Sequence, residues 1–514
     1  MKYHLVRGMK SRLIKMKPKH WLLLVLLFSL ALRLYFFVGL NWADDAMYVN
    51  EAYSRLDINY KIPARLGPLR SGMIYPTAFF FKLFGINEYS ATLYPLLCSL
   101  GSIVLTYYFG KTFFDEKTGL TAALLLAVYP LNIAYATRVM PDVPIAFFMA
   151  LSAYIFLKNE QEKKTKLLYL LSGISIGIAY LNRVSGLMIL LFLAPYMAYR
   201  ILRGRRMRFE YAWVFIGLAA VILAEGIFYS INSGSIEGMT LRYRVSTEYY
   251  NNAKLSGNIY KLPRSMLCID HRNKFFVRSK YNYPYGIYYL LVIPAILYVL
   301  LTRDKNAFPL VLWALILFLW SNFGTMSLTE YKLIHRLERH MTIITIPSIL
   351  ILGRMLGANM REDRHIIRKS IFTLLLVMLL TTSLYFDYHQ DAYIKASVYD
   401  VKAVYDFLKD KKERPVYCES TVGSHLNFHF KYRRRFIRAC KDLRCVKNCE
   451  DIRGAFIILN TSPRFTAPEC VFEQIEDWVL LKTIVGPKID RYEGFDPQIY
   501  YVSNVVNTTS GHED

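Results

Sequence analysis

Two adjacent aspartates, Asp44 and Asp45, follow directly on the apolar run Trp21–Leu40. A third, Asp142, stands in ATRVMPDVPIAFF (Ala136–Phe148), four residues after Arg138 and between two more apolar runs. An ionised side chain at the edge of hydrocarbon costs free energy unless it is partnered or used. A carboxylate there can take a proton from an acceptor or hold a metal ion, and an Arg beside it can grip a phosphate. The plainer use is structural. Asp44 would then be the N-cap of a helix running from Asp45 to Leu56, and Asp142 a cap before Pro144. One acid suffices for each cap. Three acids on one membrane face, with basic residues on that face, point to chemistry.

The elements that must position these residues are membrane spans. The chain has 514 residues, 54% of them hydrophobic and 15% aromatic. That is too apolar for a soluble domain of ordinary composition. Beyond Trp21–Leu40, apolar runs lie at Tyr89–Phe109, Thr118–Ala136, Pro144–Leu157, Leu167–Leu181 and Ser185–Ile201. They continue at Tyr211–Ile231, Tyr285–Leu301, Phe308–Phe323, Met341–Leu356 and Ile371–Phe386. A span needs about 20 apolar residues, so these runs give about eleven crossings. Met73–Gly85 is shorter and is expected in the interface. The first run is too long for a signal-peptide core and has no small-residue cleavage site.

Orientation follows from Lys and Arg beside the spans. Residues 1–20 carry seven Lys or Arg, among them Lys2, Arg7 and Lys19, and are expected in the cytoplasm. Eleven crossings then put the basic loops Lys158–Lys166, Arg203–Glu210, Thr302–Asn306 and Arg361–Lys369 on the same side. The outer loops become 41–88, 232–284 and 324–340. The membrane domain covers 21–388, and 389–514 lies outside.

That tail changes character. Its start, IKASVYDVKAVYDFLKD, has helical periodicity, and RPVYCES, RRFIRAC, GAFIILN and VLLKTIVG are short β-prone runs. TAPECVFEQIEDW reads as a helix. Strand and helix alternate, which predicts a small exterior α/β domain. The sequons at Asn460 and Asn507 suit an exterior side. Five cysteines fall here: Cys418, Cys440, Cys445, Cys449 and Cys470. Outside the cell they predict disulfides before a zinc site, with the odd count leaving one thiol over.

The net charge of +25 does not call for nucleic acid, because basic inner loops beside anionic lipid account for much of it. The outer segments are basic too. Arg242, Arg244, Lys261 and Arg264 precede one span, and Lys332, His335, Arg336, Arg339 and His340 precede another. Cations there suggest an anionic partner such as a lipid phosphate.

DDAMYVNEA (Asp44–Ala52) resembles the acidic segment in the first outer loop of the GT-C glycosyltransferases. The likeness is to the protein O-mannosyltransferases and the lipid A aminoarabinose transferases. Tyr75–Leu151 runs like the family's next stretch and ends on its second acidic position. LSGISIGIAYLNRVSGLMILL (Leu171–Leu191) resembles its small-residue span with a basic turn. HRLERHMTIITIP (His335–Pro347) resembles the segment whose Arg faces the carrier phosphate. The likeness covers about residues 20 to 360. Gly67–Pro76 has no acid where the aminoarabinose transferases carry a Glu, and no WWDYG segment of the oligosaccharyltransferase type is present.

The resemblance implies a GT-C-like membrane fold and transfer of a sugar from a polyprenyl- or dolichyl-phosphate carrier to an acceptor at the outer face. The acceptor is a protein, a glycan or a lipid. The resemblance implies Asp44 as base, with Asp45 and Asp142 orienting the acceptor. Arg138, Arg183, His335 and Arg339 would hold the carrier phosphate, and Tyr48 would touch acceptor or sugar. A divalent metal on Asp44 and Asp142 is compatible with this reading and not required by it. The competing reading is a transporter or flippase for a glycolipid. It calls for ionisable groups near the midplane and broken helices in matching positions of two halves.

Overall fold

The computed structural model describes residues 17–162, 165–204, 208–252, 260–269, 284–325, 331, 337–360, 365–433, 437–440, 452, 454–459, 479–484 and 498–501. The chain divides into two compact units. The first comprises Met1–Phe37, Ile58–Pro76 and Thr92–Gln390, and the second Val38–Asp57, Thr77–Ala91 and Asp391–Asp514.

The first unit is helical and built for a membrane. Each of the eleven apolar runs falls on a helix. Among the described residues, seven helices are long and apolar enough to cross a bilayer, from Pro18–Tyr35 to Ile366–Ala396. Glu116–Ala127 and Pro130–Ala136 form a pair bent by 59°, and three shorter apolar helices are Lys166–Asn182, Tyr288–Leu301 and Phe308–Phe323. This is a multi-pass membrane protein.

Local chemistry sets the boundaries. Asp115 caps the helix Glu116–Ala127 by accepting from the Thr118 backbone N–H at 2.8 Å. The bend after it has its cause in Pro130, which cannot donate to the preceding turn and holds Tyr129 extended. A bend frees carbonyls that hydrocarbon cannot satisfy. Arg33, fully buried, fills that need: its Nη1 donates to the Ala127 carbonyl at 3.0 Å. Its other donors reach Ser99 Oγ at 2.7 Å and Asn132 Oδ1 at 2.7 Å, and Asp387 supplies an opposing charge. Helices Lys166–Asn182 and Ala212–Ser233 approach through glycine. A Cβ on Gly173 would lie 1.9 Å from the Val214 carbonyl oxygen, so only Gly permits the contact.

Described cations of the basic loop 232–284 are paired. Arg242 is buried and ion-paired with Glu225, and it also donates to the Tyr180 carbonyl at 2.9 Å. Glu225 in turn accepts from Ser71 Oγ at 2.8 Å, and the Tyr229 hydroxyl shares its proton between Glu225 at 3.1 Å and the Leu69 carbonyl at 3.0 Å. Arg242 is therefore spent on bracing the bundle. Arg244 pairs with Glu237 at 3.2 Å and Lys261 with Glu338 at 3.1 Å.

Among its described residues the second unit carries a five-stranded sheet whose strands lie side by side in the order Ile437–Cys440, Val416–Glu419, Phe456–Leu459, Gln498–Tyr501 and Val479–Thr483. The strands are β1 Val416–Glu419, β2 Ile437–Cys440, β3 Phe456–Leu459, β4 Val479–Thr483 and β5 Gln498–Tyr501. β1 runs parallel to both β2 and β3, and β5 pairs antiparallel with β3 and β4. Val416, Cys418, Phe456, Ile458 and Ile499 pack with Val404, Leu408 and Leu426 into its core. The four β-prone runs are strands. The tail's first helical stretch is the end of one 43-residue helix, Ile366–Leu408, which has no break at 388. A helix at Ser420–His429 and β5 were not anticipated. Cys418 is a buried free thiol on a central strand, and burial pushes its pKa up. The side chain of Cys440, the other tail cysteines, both sequons and TAPECVFEQIEDW lie outside the described residues.

Candidate active site

In the second unit the two aspartates divide the work differently from the simple cap. The helix runs Trp42–Ser54 with Asn41 as N-cap, so it starts before Asp44. Asp45 is fully buried, and its Oδ2 accepts the Asn41 backbone N–H at 3.2 Å. That satisfies one of the donors a helix start leaves over. Asp45 thus does the capping work assigned in sequence to Asp44, while Asp44, in the same first turn, is partly exposed. Tyr48, on the same helix, is fully buried.

This helix is held at both ends by residues far away in sequence. At its start, Glu88 accepts the Leu40 N–H at 3.0 Å, and Lys402 bridges Glu88 at 3.0 Å and the Val38 carbonyl at 3.3 Å. Gly39 makes that turn possible. Its φ is +78°, and a Cβ would lie 2.3 Å from Glu88 Oε1. At the far end Tyr53 stacks on Tyr432 with centroids 3.8 Å apart, and Tyr432 OH donates to Asn50 Oδ1 at 2.5 Å. Glu88, Lys402 and Tyr432 position the aspartates, and no local pattern marks them for that task.

In the first unit Asp142 opens the helix Asp142–Gln161, after Pro141 at the N-cap. A carboxylate in the first turn suits the helix dipole. It is 2% exposed. Its Oδ1 accepts from Arg183 Nη1 at 3.3 Å, while its buried Oδ2 has no hydrogen-bond partner among the described residues. Asp142 is therefore not a side-chain cap. Arg183 sits where the helix Lys166–Asn182 ends in extended backbone, which frees its side chain to reach across. Its Nη2 donates to His340 Nε2 at 2.6 Å. Guanidinium has only donors, so that imidazole nitrogen accepts and the ring proton lies on Nδ1.

The remaining predicted cations flank this junction. Arg339 and His340 lie on the single turn Glu338–Met341 that leads into the buried helix Thr342–Asn359. Arg339 Nη1 is 3.7 Å from Met140 Sδ. Arg138 is buried, and its guanidinium lies 4.8 Å from the Tyr135 ring centre. Tyr135 is within electrostatic reach of Arg138, Arg339 and Asp142. Thr342 Oγ1 lies between the two segments, with its one proton shared by the Arg339 carbonyl at 2.9 Å and the Asp142 carbonyl at 3.2 Å. His335 lies outside the described residues.

A metal does not fit what is described here. Among the described residues no group of three or more His, Cys, Asp or Glu is placed to hold an ion. The Arg183 cation already occupies Asp142 Oδ1, and His340 Nε2 is engaged by Arg183.

Residues 72–228 match the family model of dolichyl-phosphate-mannose-protein mannosyltransferase. ArnT from Cupriavidus metallidurans, solved bound to undecaprenyl phosphate, superposes with a TM-score of 0.60 at 12% identity, covering 96% of this chain and 99% of that one. The oligosaccharyltransferase AglB from Archaeoglobus fulgidus, solved with an inhibitory peptide and dolichol-phosphate, gives 0.52 at 13% identity, over 80% and 63% of the two chains. The chain shares the fold of these two proteins. An uncharacterized protein of Aquifex aeolicus is 32% identical over 104 residues, so the chain matches about a fifth of that relative's length. The family-model match spans Asp142 and Arg183, and the Asp44 helix lies before it.

Proposed function

We propose that this protein transfers a sugar from a polyprenyl- or dolichyl-phosphate carrier to an acceptor at the outer membrane face, by one direct displacement. The observation that carries the reading is the Asp142–Arg183–His340 junction, a buried polar cluster with one carboxylate oxygen left open, on a GT-C fold. A carboxylate kept short of partners at a helix start is matched to a ligand rather than to stability. Asp44 is the base. It takes the acceptor proton, the acceptor oxygen bonds the anomeric carbon, and the sugar–phosphate bond breaks with its electron pair leaving on the phosphate. Arg183, Arg138 and Arg339 hold that phosphate as its charge grows, through charge-assisted hydrogen bonds. Asp142 Oδ2 orients the acceptor. Asp45 holds the helix that carries Asp44, and Tyr48, expected to touch acceptor or sugar, is fully buried on that helix. Energy comes from the glycosyl-phosphate bond, and no step is routed through a metal. The N-terminus is cytoplasmic, the chain crosses eleven times, and 389–514 is exterior.

The test is Asp44→Asn. Asn keeps the size and most capping ability. Sugar transfer by the purified variant is expected to fall on the order of 10²–10⁴-fold, with carrier-lipid affinity and thermal stability kept. Full activity in Asp44→Asn would remove the base assignment.

A further inference from the structure

The helix that begins at Asp142 and ends at Gln161 has 20 residues and so is about 30 Å long, enough to cross the hydrocarbon of a bilayer. A cavity of about 540 Å³ opens at its Gln161 end. It lies between the C-terminal turns of Asp142–Gln161 and Leu190–Gly204 and the loop Thr302–Ala307. The sugar-transfer reading makes no use of it.

Its charges are unbalanced. Glu160 is saturated: it accepts from Arg200 at 2.9 Å, Arg208 at 3.0 Å and Tyr211 at 3.0 Å, and from the Tyr169 hydroxyl. Asp304 is taken by Arg354 at 2.8 Å and by the backbone N–H of Asn306. Against these stand Arg203, Arg303 and Lys305. Among the described residues Arg203 donates only to the Tyr199 hydroxyl, at 2.7 Å. Arg303 and Lys305 have no side-chain partner among the described residues. Arg303 is also held in left-handed backbone, φ +51°, a conformation that side-chain-bearing residues rarely adopt. The inner wall is apolar, with Leu157, Val299, Leu300 and Phe308.

We propose that this cavity binds the headgroup of an anionic phospholipid of the cytoplasmic leaflet. The phosphodiester sits among Arg203, Arg303 and Lys305, and the acyl chains lie along the apolar wall. Unneutralised cations above apolar surface at a membrane edge match that amphiphile in both parts. A water-soluble anion would leave the wall unused.

The test uses the full chain in detergent, titrated with phosphatidylglycerol or phosphatidylcholine of the same acyl chains and followed by native mass spectrometry. Phosphatidylglycerol is expected to bind more tightly. The double variant Arg303→Ala/Lys305→Ala should lose about 30-fold in that affinity, at roughly a factor of five per cation. Arg303→Lys/Lys305→Arg should keep it. Both side chains are exposed, and an unchanged melting temperature checks the fold. Equal binding of the two lipids, or an Ala variant that binds phosphatidylglycerol like the parent, would overturn the proposal. Displacement of the lipid by inorganic phosphate at equal concentration would make this a plain anion site. Tighter binding of polyprenyl phosphate here, lost in the same Ala variant, would assign the cavity to the carrier. Either result replaces the phospholipid.

Discussion

One helix, Asp142–Gln161, carries a buried acid at each end, and the two are treated in opposite ways. Glu160, 6% exposed, receives two arginines and two tyrosine hydroxyls. Asp142, 2% exposed, receives one arginine on one oxygen and nothing on the other among the described residues. A buried carboxylate that has all its donors is a structural joint. One held short of them costs free energy in the resting protein, and the site recovers it when a ligand arrives. On the proposed reading, the contrast separates a bracing acid from one that meets a ligand, without reference to which face carries more charge.

The largest effect should come from breaking the brace. Glu160→Ala leaves Arg200 and Arg208 without their anion at the membrane edge. Since both are a fifth to a third exposed, the cost should be about 3 kcal/mol, the lower end for a broken buried pair. Thermal unfolding in detergent checks it, with a clear drop in melting temperature expected. At the other end Asp142→Asn should leave the melting temperature near the parent's and lower sugar transfer on the order of 10²-fold, read from initial rates at saturating carrier. A variant that loses stability instead would place Asp142 beside Glu160 as a brace.

Two smaller tests address the second unit. Gly39→Ala forces a Cβ into the Glu88 carboxylate and a left-handed backbone onto alanine. It should cost about 1–3 kcal/mol and lower transfer by shifting the Asp44 helix, checked by denaturant unfolding and rate together. The smallest effect concerns His429. Burial holds its imidazole below the ordinary value, with Glu88 and Asp406 opposing and Lys402 assisting. The unfolded chain then binds a proton that the folded one resists. Stability is full above the ordinary histidine pKa of about 6.5 and falls as pH drops through that value toward the folded one. Melting curves from pH 7.5 to 5 should show that decline, and His429→Gln should flatten it.

The sequence was most legible where one period repeats over many residues. All eleven apolar runs lie on helices, and the β-prone runs of the tail lie on strands. Short elements were missed. β5 has four residues, and the helix Ser420–His429 has too little apolar periodicity to stand out. The acids were found, but not how they are held. That Asn41 begins the helix and Asp45 takes its N–H is decided by geometry within four residues. The clamps on that helix join Leu40 to Glu88 and Asn50 to Tyr432, 48 and 382 positions apart, and such separations leave no local signal. Arg242 shows the reverse error. It counts as an outer cation in the sequence, yet its charge is consumed by Glu225 inside the bundle.

The central claim is that a lipid-linked sugar is cleaved here rather than carried across. The most direct measurement places the purified protein in vesicles with a polyprenyl-phosphate sugar and acceptor, and follows both the free carrier phosphate and the anomeric configuration of the product. The account predicts release of polyprenyl phosphate only when acceptor is present, loss of that release in Asp44→Asn, and an inverted anomeric centre. Intact glycolipid appearing on the opposite leaflet, with no carrier phosphate released, would contradict it.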